Sequence, residues 1–162
     1  MAHHTGIGHD GDHVHDAAAL VAGAEATCRE RALQFTPLRR RVFEALAEGG
    51  GPLGAYDLVE RLGRDRRIAP ISVYRALDFL IEAGLIHRIA TRNTYLPCQH
   101  AHDPLDTTVF LVCTTCGSVD ELPSPEIGRG LDGMAASAGF KPGPRAVEVE
   151  GECAGCRTPA SA

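Results

Sequence analysis

The 162 residues, 44% of them hydrophobic, suffice for one medium domain or two small ones with a real core. No run of 18 apolar residues occurs, and the N-terminus MAHHTGIGHDGDHVHD lacks the basic region and apolar stretch of a secretory signal; neither a membrane span nor export is expected, and the chain reads as cytoplasmic. The net charge of -5 argues against a nucleic-acid binder only until it is divided: residues 28–92 hold 12 Arg against 8 acids, and residues 93–162 hold 4 basic residues against 9 acids. The first half suits phosphate and the second does not, a solvated charged face being the plain alternative.

Residues 1–16 mix His, Gly and Asp without periodicity and are expected to form a disordered His-rich tail. Its histidines, His3, His4, His9, His13 and His15, suit loose metal scavenging rather than a specific site. From Asp16, a good N-cap, residues 17–33 read as a helix with Leu20, Ala24, Cys28 and Ala32 on its apolar face. Thr36-Pro37 starts a second helix, a cap followed by Pro at the first helical position, with Val42, Phe43 and Leu46 inward and Arg39, Arg40 and Arg41 mostly outward. It stops at Gly49-Gly50-Gly51-Pro52. A third helix over residues 55–62 turns Leu58, Val59 and Leu62 inward, and an exposed Arg-rich loop follows. Pro70 precedes a fourth helix over residues 72–83, with Val73, Leu77, Leu80 and Ile81 at helical spacing and Gly84 as C-cap. Such a succession is a helix-turn-helix layout.

After Gly84 the period changes from helix to strand. Residues 85–90 and 94–97 flank the turn Thr91-Arg92-Asn93, which makes a β-hairpin or wing. The winged-helix DNA-binding domain is therefore placed at residues 17–97, and the polar, Pro-containing stretch 98–107 is read as a hinge. Residues 108–162 form a second, α+β unit. In it residues 109–112 and 118–122 are strands bracketing Cys113-Thr114-Thr115-Cys116, residues 125–138 a glycine-weakened helix, and residues 146–150 a strand leading to Cys153-Ala154-Gly155-Cys156.

Two CxxC pairs separated by 36 residues, each at the end of an apolar strand, can grip a tetrahedral zinc ion from two sides. Cytosolic thiols are kept reduced, so clustered cysteines there bind metal more often than they form disulfides. Two matched pairs following strands also differ from a redox CxxC, which opens a helix and needs only one pair. Four thiolates close the sphere, so Cys113, Cys116, Cys153 and Cys156 are expected to hold a structural zinc within one domain. On that reading the site does not set the angle between domains.

A second group of ligand-type residues, His87, Cys98, His100, His102, Asp106 and Glu121, lies in the wing, the hinge and the first strands beyond it. A metal held there would join the two domains and fix their angle, as a sensor requires. Each residue alone has a blander reading: hinge polar residues, a small core cysteine, a solvated strand acid. The mixture of thiolate, imidazole and carboxylate favours zinc over magnesium or calcium. No HExxH, GxSxG or Gly-rich phosphate loop occurs, and no enzymatic activity is expected. A zinc hydrolase or a redox sensor at the second cluster would leave the helix-turn-helix unexplained.

Thr36-Pro37-Leu38-Arg39, AYDLVERL from Ala55, SVYRALDFLIEAGLIHRI from Ser72, NTYLPC from Asn93 and CTTCGSVDEL from Cys113 together closely resemble the ferric uptake regulator superfamily, in its zinc uptake regulator branch, over residues 26–156. The resemblance implies a homodimer that, loaded with zinc, binds a palindromic operator and represses zinc-import genes. The fourth helix would be the recognition helix, with Tyr74 and Arg75 reaching the groove and Tyr56 and Arg39 supporting on the backbone. An Arg near the start of such a helix can donate two hydrogen bonds to guanine. The resemblance also implies a regulatory site of His87, Cys98, a ligand eight residues later and Glu121. That third position is Asp106, where a histidine is more usual, so Asp106, His102 and His100 all remain open for it. Two zinc ions per protomer, one structural and one regulatory, are implied.

Overall fold

The computed structural model describes residues 16–64, 67–99, 107–143 and 145–157. The tail 1–15 and the hinge residues His100, His102 and Asp106 lie outside the described residues. Among the described residues, no helix is long and apolar enough to cross a membrane.

Helix α1 (Ala17–Glu30) starts where Asp16 accepts a hydrogen bond from the Ala18 N–H at 3.0 Å. It ends three residues before the apolar pattern does. Ala32 takes φ 53, and the Leu33 N–H closes back on the Cys28 carbonyl at 2.8 Å, a Schellman closure with alanine in the place usually held by glycine. Ala32, expected on the inner face, is consequently exposed, while Val21, Ala24 and Cys28 are buried and Leu20 is half-buried. Helix α2 (Pro37–Ala47) begins as expected, with Thr36 capping the Arg39 N–H.

A two-residue strand, β1 (Leu53–Gly54), not foreseen in the sequence, then pairs with the wing. At its end the Asp57 carboxylate accepts the Gly54 N–H at 3.0 Å and starts α3 (Ala55–Gly63). Helix α4 (Pro70–Glu82) starts two residues earlier than the pattern suggests, because Pro70 serves as its first helical residue. Its inner face is Val73, Ala76, Leu77 and Leu80; Ile81, expected inside, lies a further 100° round and is exposed. Gly84 (φ 70) closes the helix, with Leu85 N–H on the Leu80 carbonyl.

Strands β2 (Ile86–Ile89) and β3 (Thr94–Pro97) form the wing hairpin, and β1 completes a sheet of order β1-β3-β2. Phe43, Leu46, Leu58, Val73, Leu77, Leu80 and Ile86 from these elements fill one core.

The second domain is a three-stranded sheet of order β5-β4-β6, built from β4 (Thr108–Cys113), β5 (Val119–Pro123) and β6 (Ala146–Gly151), with α5 (Pro125–Ser137) between β5 and β6. β5 runs antiparallel to β4 and ends beside its start, Pro123 opposite Thr108, where β6, parallel to β4, also begins, Ala146 opposite Thr108; α5 joins these two strand ends on the same side of the sheet. The parallel pairing decides the metal chemistry, because it leaves the C-terminal ends of β4 and β6 side by side, Cys113 opposite Gly151. α5 approaches the first residue before β4 so closely that a Cβ at Gly128 would meet Thr107 Oγ1 at 2.9 Å. Arg145 binds that hydroxyl at 2.7 Å and Asp132 at 2.6 Å.

The two faces of this sheet differ. Phe110 and Val112 point to one side, where they form a small buried cluster with Ile89 and Leu96 of the wing. Leu111 and Val149, paired in register on the other side, are exposed.

Candidate metal centres and nucleic-acid interface

At the paired ends of β4 and β6 the four cysteine sulfurs lie within 4.8 Å of one another. Gly117 at φ 79 lets the chain reverse after the first pair, and Thr114 N–H donates to the Gly151 carbonyl at 2.7 Å, tying the two knuckles together. Cys116 and Cys153 sulfurs are 3.8 Å apart. That is far beyond a disulfide bond of about 2.05 Å. It equals the edge of a tetrahedron whose centre lies about 2.3 Å from each sulfur, about 3.8 Å. Backbone N–H groups of Cys116 and Cys153 pull the Cys113 thiol down to about 5, whereas the Cys156 thiol, donating its own proton toward the Cys153 and Cys116 sulfurs, is pushed up to about 12. Cys116 is lowered as well, first by its hydrogen bond with the Ser118 hydroxyl, so the cluster favours thiolate at the first pair and resists it at Cys156, a resistance that a divalent cation would relieve.

The second cluster joins the domains. His87 comes from β2, Cys98 follows β3, and Glu121 from β5 faces both, their ligand atoms lying within 4.8 Å of one another. Glu121 Oε1 is 3.2 Å from His87 Nε2 and 3.8 Å from Cys98 Sγ, and Oε2 accepts the Gln99 N–H at 3.2 Å. The Glu121 side chain is 0% exposed. A carboxylate so deeply buried needs a cation or several donors, and here its neighbours are themselves an imidazole and a thiol. The donor set fits zinc. Cys98 is held in place by its N–H bond to the Leu85 carbonyl at 2.9 Å, an extension of the wing beyond Pro97, and the His87 ring by Phe110, centroids 5.0 Å apart.

The outward face of α4 carries Ile71, Tyr74, Arg75 and Asp78, all exposed, and Tyr56 at the start of α3 is 85% exposed. Arg39 is engaged within the fold: its guanidinium lies 3.5 Å over the Phe79 ring and also bonds the Gln34 carbonyl. α4 begins with no side-chain cap, leaving the positive end of its dipole open.

Sequence reasoning missed a set of contacts between the wing and the second domain. Glu148 of β6 accepts hydrogen bonds from Ala90 N–H at 2.7 Å, Thr91 N–H at 3.0 Å and Thr91 Oγ1 at 2.6 Å. Arg92 donates to the Cys113 carbonyl at 2.9 Å. The backbone of the four-cysteine knuckle, which lies within the second domain as expected, therefore touches the wing. The only sequence signal was the strand pattern around Glu148, which places it on the same face as Phe110 once the register is known.

Fold and sites define a winged-helix protein carrying two thiol-bearing clusters of metal-ligand type, one within its second domain and one across the join. The ferric uptake regulator family model matches residues 30–150. The zinc uptake regulation protein of Escherichia coli strain K12 is 34% identical over 138 residues, 85% of this chain and 81% of that protein. The chain belongs to the ferric uptake regulator family, in its zinc uptake regulator branch. A zinc uptake regulator complexed with zinc and DNA superposes with TM-score 0.80 at 33% identity, covering 87% of this chain and 95% of that one. Holo XcZur gives 0.78 at 35% identity over 85% of this chain and 96% of that one, whereas apo XcZur gives 0.52 at 35% over 87% and 97%. At equal identity the chain superposes more closely on the holo structure than on the apo one.

Proposed function

We propose that the chain is a cytoplasmic, zinc-responsive transcriptional repressor that binds palindromic operator DNA as a homodimer when zinc-loaded and represses zinc-uptake genes, without enzymatic activity. The observation that carries this reading is the cluster of His87 and Cys98 around the buried Glu121, spanning two domains that stand in a holo-like arrangement. The domains are assigned to residues 17–97 and 108–162, with 98–107 as the hinge between them.

Cys113, Cys116, Cys153 and Cys156 would hold a structural zinc, and His87, Cys98 and Glu121 a regulatory one, with Asp106, His102 or His100 completing the set. Bound zinc supplies a divalent charge that neutralises the thiolates and carboxylate and fixes ligands from different segments around one point. His87 and Cys98 then hold the wing to Glu121 of the second domain, so that α4 keeps one orientation. Tyr74 and Arg75 present the groove-reading face, Tyr56 flanks it, and Arg39 braces α4 through Phe79 as well as lying near the DNA side. In a dimer two such helices serve successive major grooves about 34–36 Å apart. Leu111, Val149, Leu122 and Ile127, exposed in the single chain, supply apolar surface for the second copy.

Titrating free zinc against binding to a duplex selected from a random library tests the reading. The wild-type dimer is expected to bind only as zinc rises, and His87→Ala to remain a folded dimer that has lost the zinc dependence. Unchanged affinity of the wild type after chelation overturns it.

A further inference from the structure

Three residues stand in one row across the second sheet. The register places Phe110 of β4 opposite Glu121 of β5 on one side and opposite Glu148 of β6 on the other, so all three side chains project from the face that packs on the wing. Glu121 meets His87 and Cys98, Phe110 packs on the His87 ring and on Ile89 and Leu96, and Glu148 takes the turn at Ala90 and Thr91. The two carboxylates are two strand spacings apart, about 10 Å. One attachment lets a hairpin swivel; two separated by that distance define its direction.

We propose that Glu148, with Arg92, is a latch independent of the regulatory metal that positions the wing for operator binding, so that the regulatory site closes on a partly ordered joint. This rests on the repressor reading above. Glu148 satisfies two successive backbone N–H groups and a hydroxyl of the turn, and Arg92 ties the other side of the turn to the carbonyl of Cys113, itself one of the four thiols. The four-cysteine knuckle thereby orders the surface on which the wing rests. Burial alone would raise the Glu148 pKa, but the Thr91 hydroxyl and the Thr91 and Ala90 N–H groups outweigh it and hold the carboxyl below its ordinary value, so the acceptor is charged at neutral pH.

The sign of the effect separates the latch from simple electrostatics. Removing a carboxylate from a DNA-binding protein should strengthen its attraction to phosphate; removing the latch should weaken operator binding by lowering the competent fraction. For Glu148→Ala, and separately Arg92→Ala, the free-zinc midpoint for binding the selected duplex is expected to rise about tenfold, the equivalent of one charge-assisted hydrogen-bond set. Much of the affinity should return at saturating zinc, with dimer and four-cysteine zinc content unchanged. Thr91→Ser, which keeps the hydroxyl, should behave as wild type. Without DNA, hydrogen exchange across residues 89–94 of the zinc-loaded protein should accelerate in Glu148→Ala. An unchanged zinc midpoint and unchanged exchange in both variants overturn the latch, as does tighter duplex binding by Glu148→Ala. If the wild type shows no zinc-dependent DNA binding, the repressor reading fails while the exchange measurement still decides whether the latch exists.

Discussion

Phe110→Ala probes the joint at its centre. The ring is 0% exposed and is enclosed by Ile89 and Leu96 of the wing and Val112 of its own strand, and it lies 5.0 Å from the His87 ring. Emptying a site of this kind costs about 3–5 kcal/mol, and the lost ring pair about 0.5–1.5 kcal/mol more. Because the cavity opens between two cores, most of that loss falls on the association of the domains. The core of Phe43, Leu46, Leu58, Leu77 and Leu80 is untouched. Calorimetry of the zinc-loaded dimer should therefore resolve two transitions in the variant and one in the wild type. At about 1.4 kcal/mol per tenfold, DNA affinity should fall by up to about a thousandfold, while Phe110→Leu should cost less than about 1.5 kcal/mol. A single transition shifted by less than about 1 kcal/mol, with DNA binding intact, would refute the claim that this ring couples the domains.

Three further substitutions test separate links. Ala32→Gly removes a left-handed penalty of about 1–2 kcal/mol and adds unfolded-state entropy of about 0.4–1 kcal/mol. The net gain of about 0.5–1 kcal/mol should raise the melting temperature of the winged-helix domain, and a fall would mean that the helix runs on through Ala32. Cys113→Ser should lose the structural zinc together with dimer and fold, since such ions contribute folding free energy directly; a folded, zinc-free dimer seen by ultracentrifugation and metal analysis contradicts the assignment. Arg75→Ala should cost about 1–3 kcal/mol on the selected duplex and relax base preference at one position, whereas equal loss on random DNA would make Arg75 a phosphate contact.

What could be read from the sequence was what short range decides. Thr36-Pro37, Gly84 and the CxxC pairs act through neighbours one to five residues away, and each appears where the pattern put it. Ala32 misled because its apolar side chain continues the helical period, while the turn toward the second helix start at Thr36 ends α1 by backbone closure instead. Ile81 misled in a similar way, since four other residues already fill the inner face of α4. The ligand identities His87, Cys98 and Glu121 were legible as chemistry, but their convergence was not: it depends on Phe110 pairing with Glu121 in a register that no local rule sets. Glu148 was invisible for the same reason, lying 57 residues beyond the Thr91 hydroxyl it accepts. Its place beside Phe110 follows from the parallel β4–β6 pairing, and the same pairing brings the two CxxC knuckles together. One parallel β4–β6 ladder thus builds the closed four-thiol site and also aims a carboxylate at the wing, so any substitution that weakens it should disturb metal retention and wing position together.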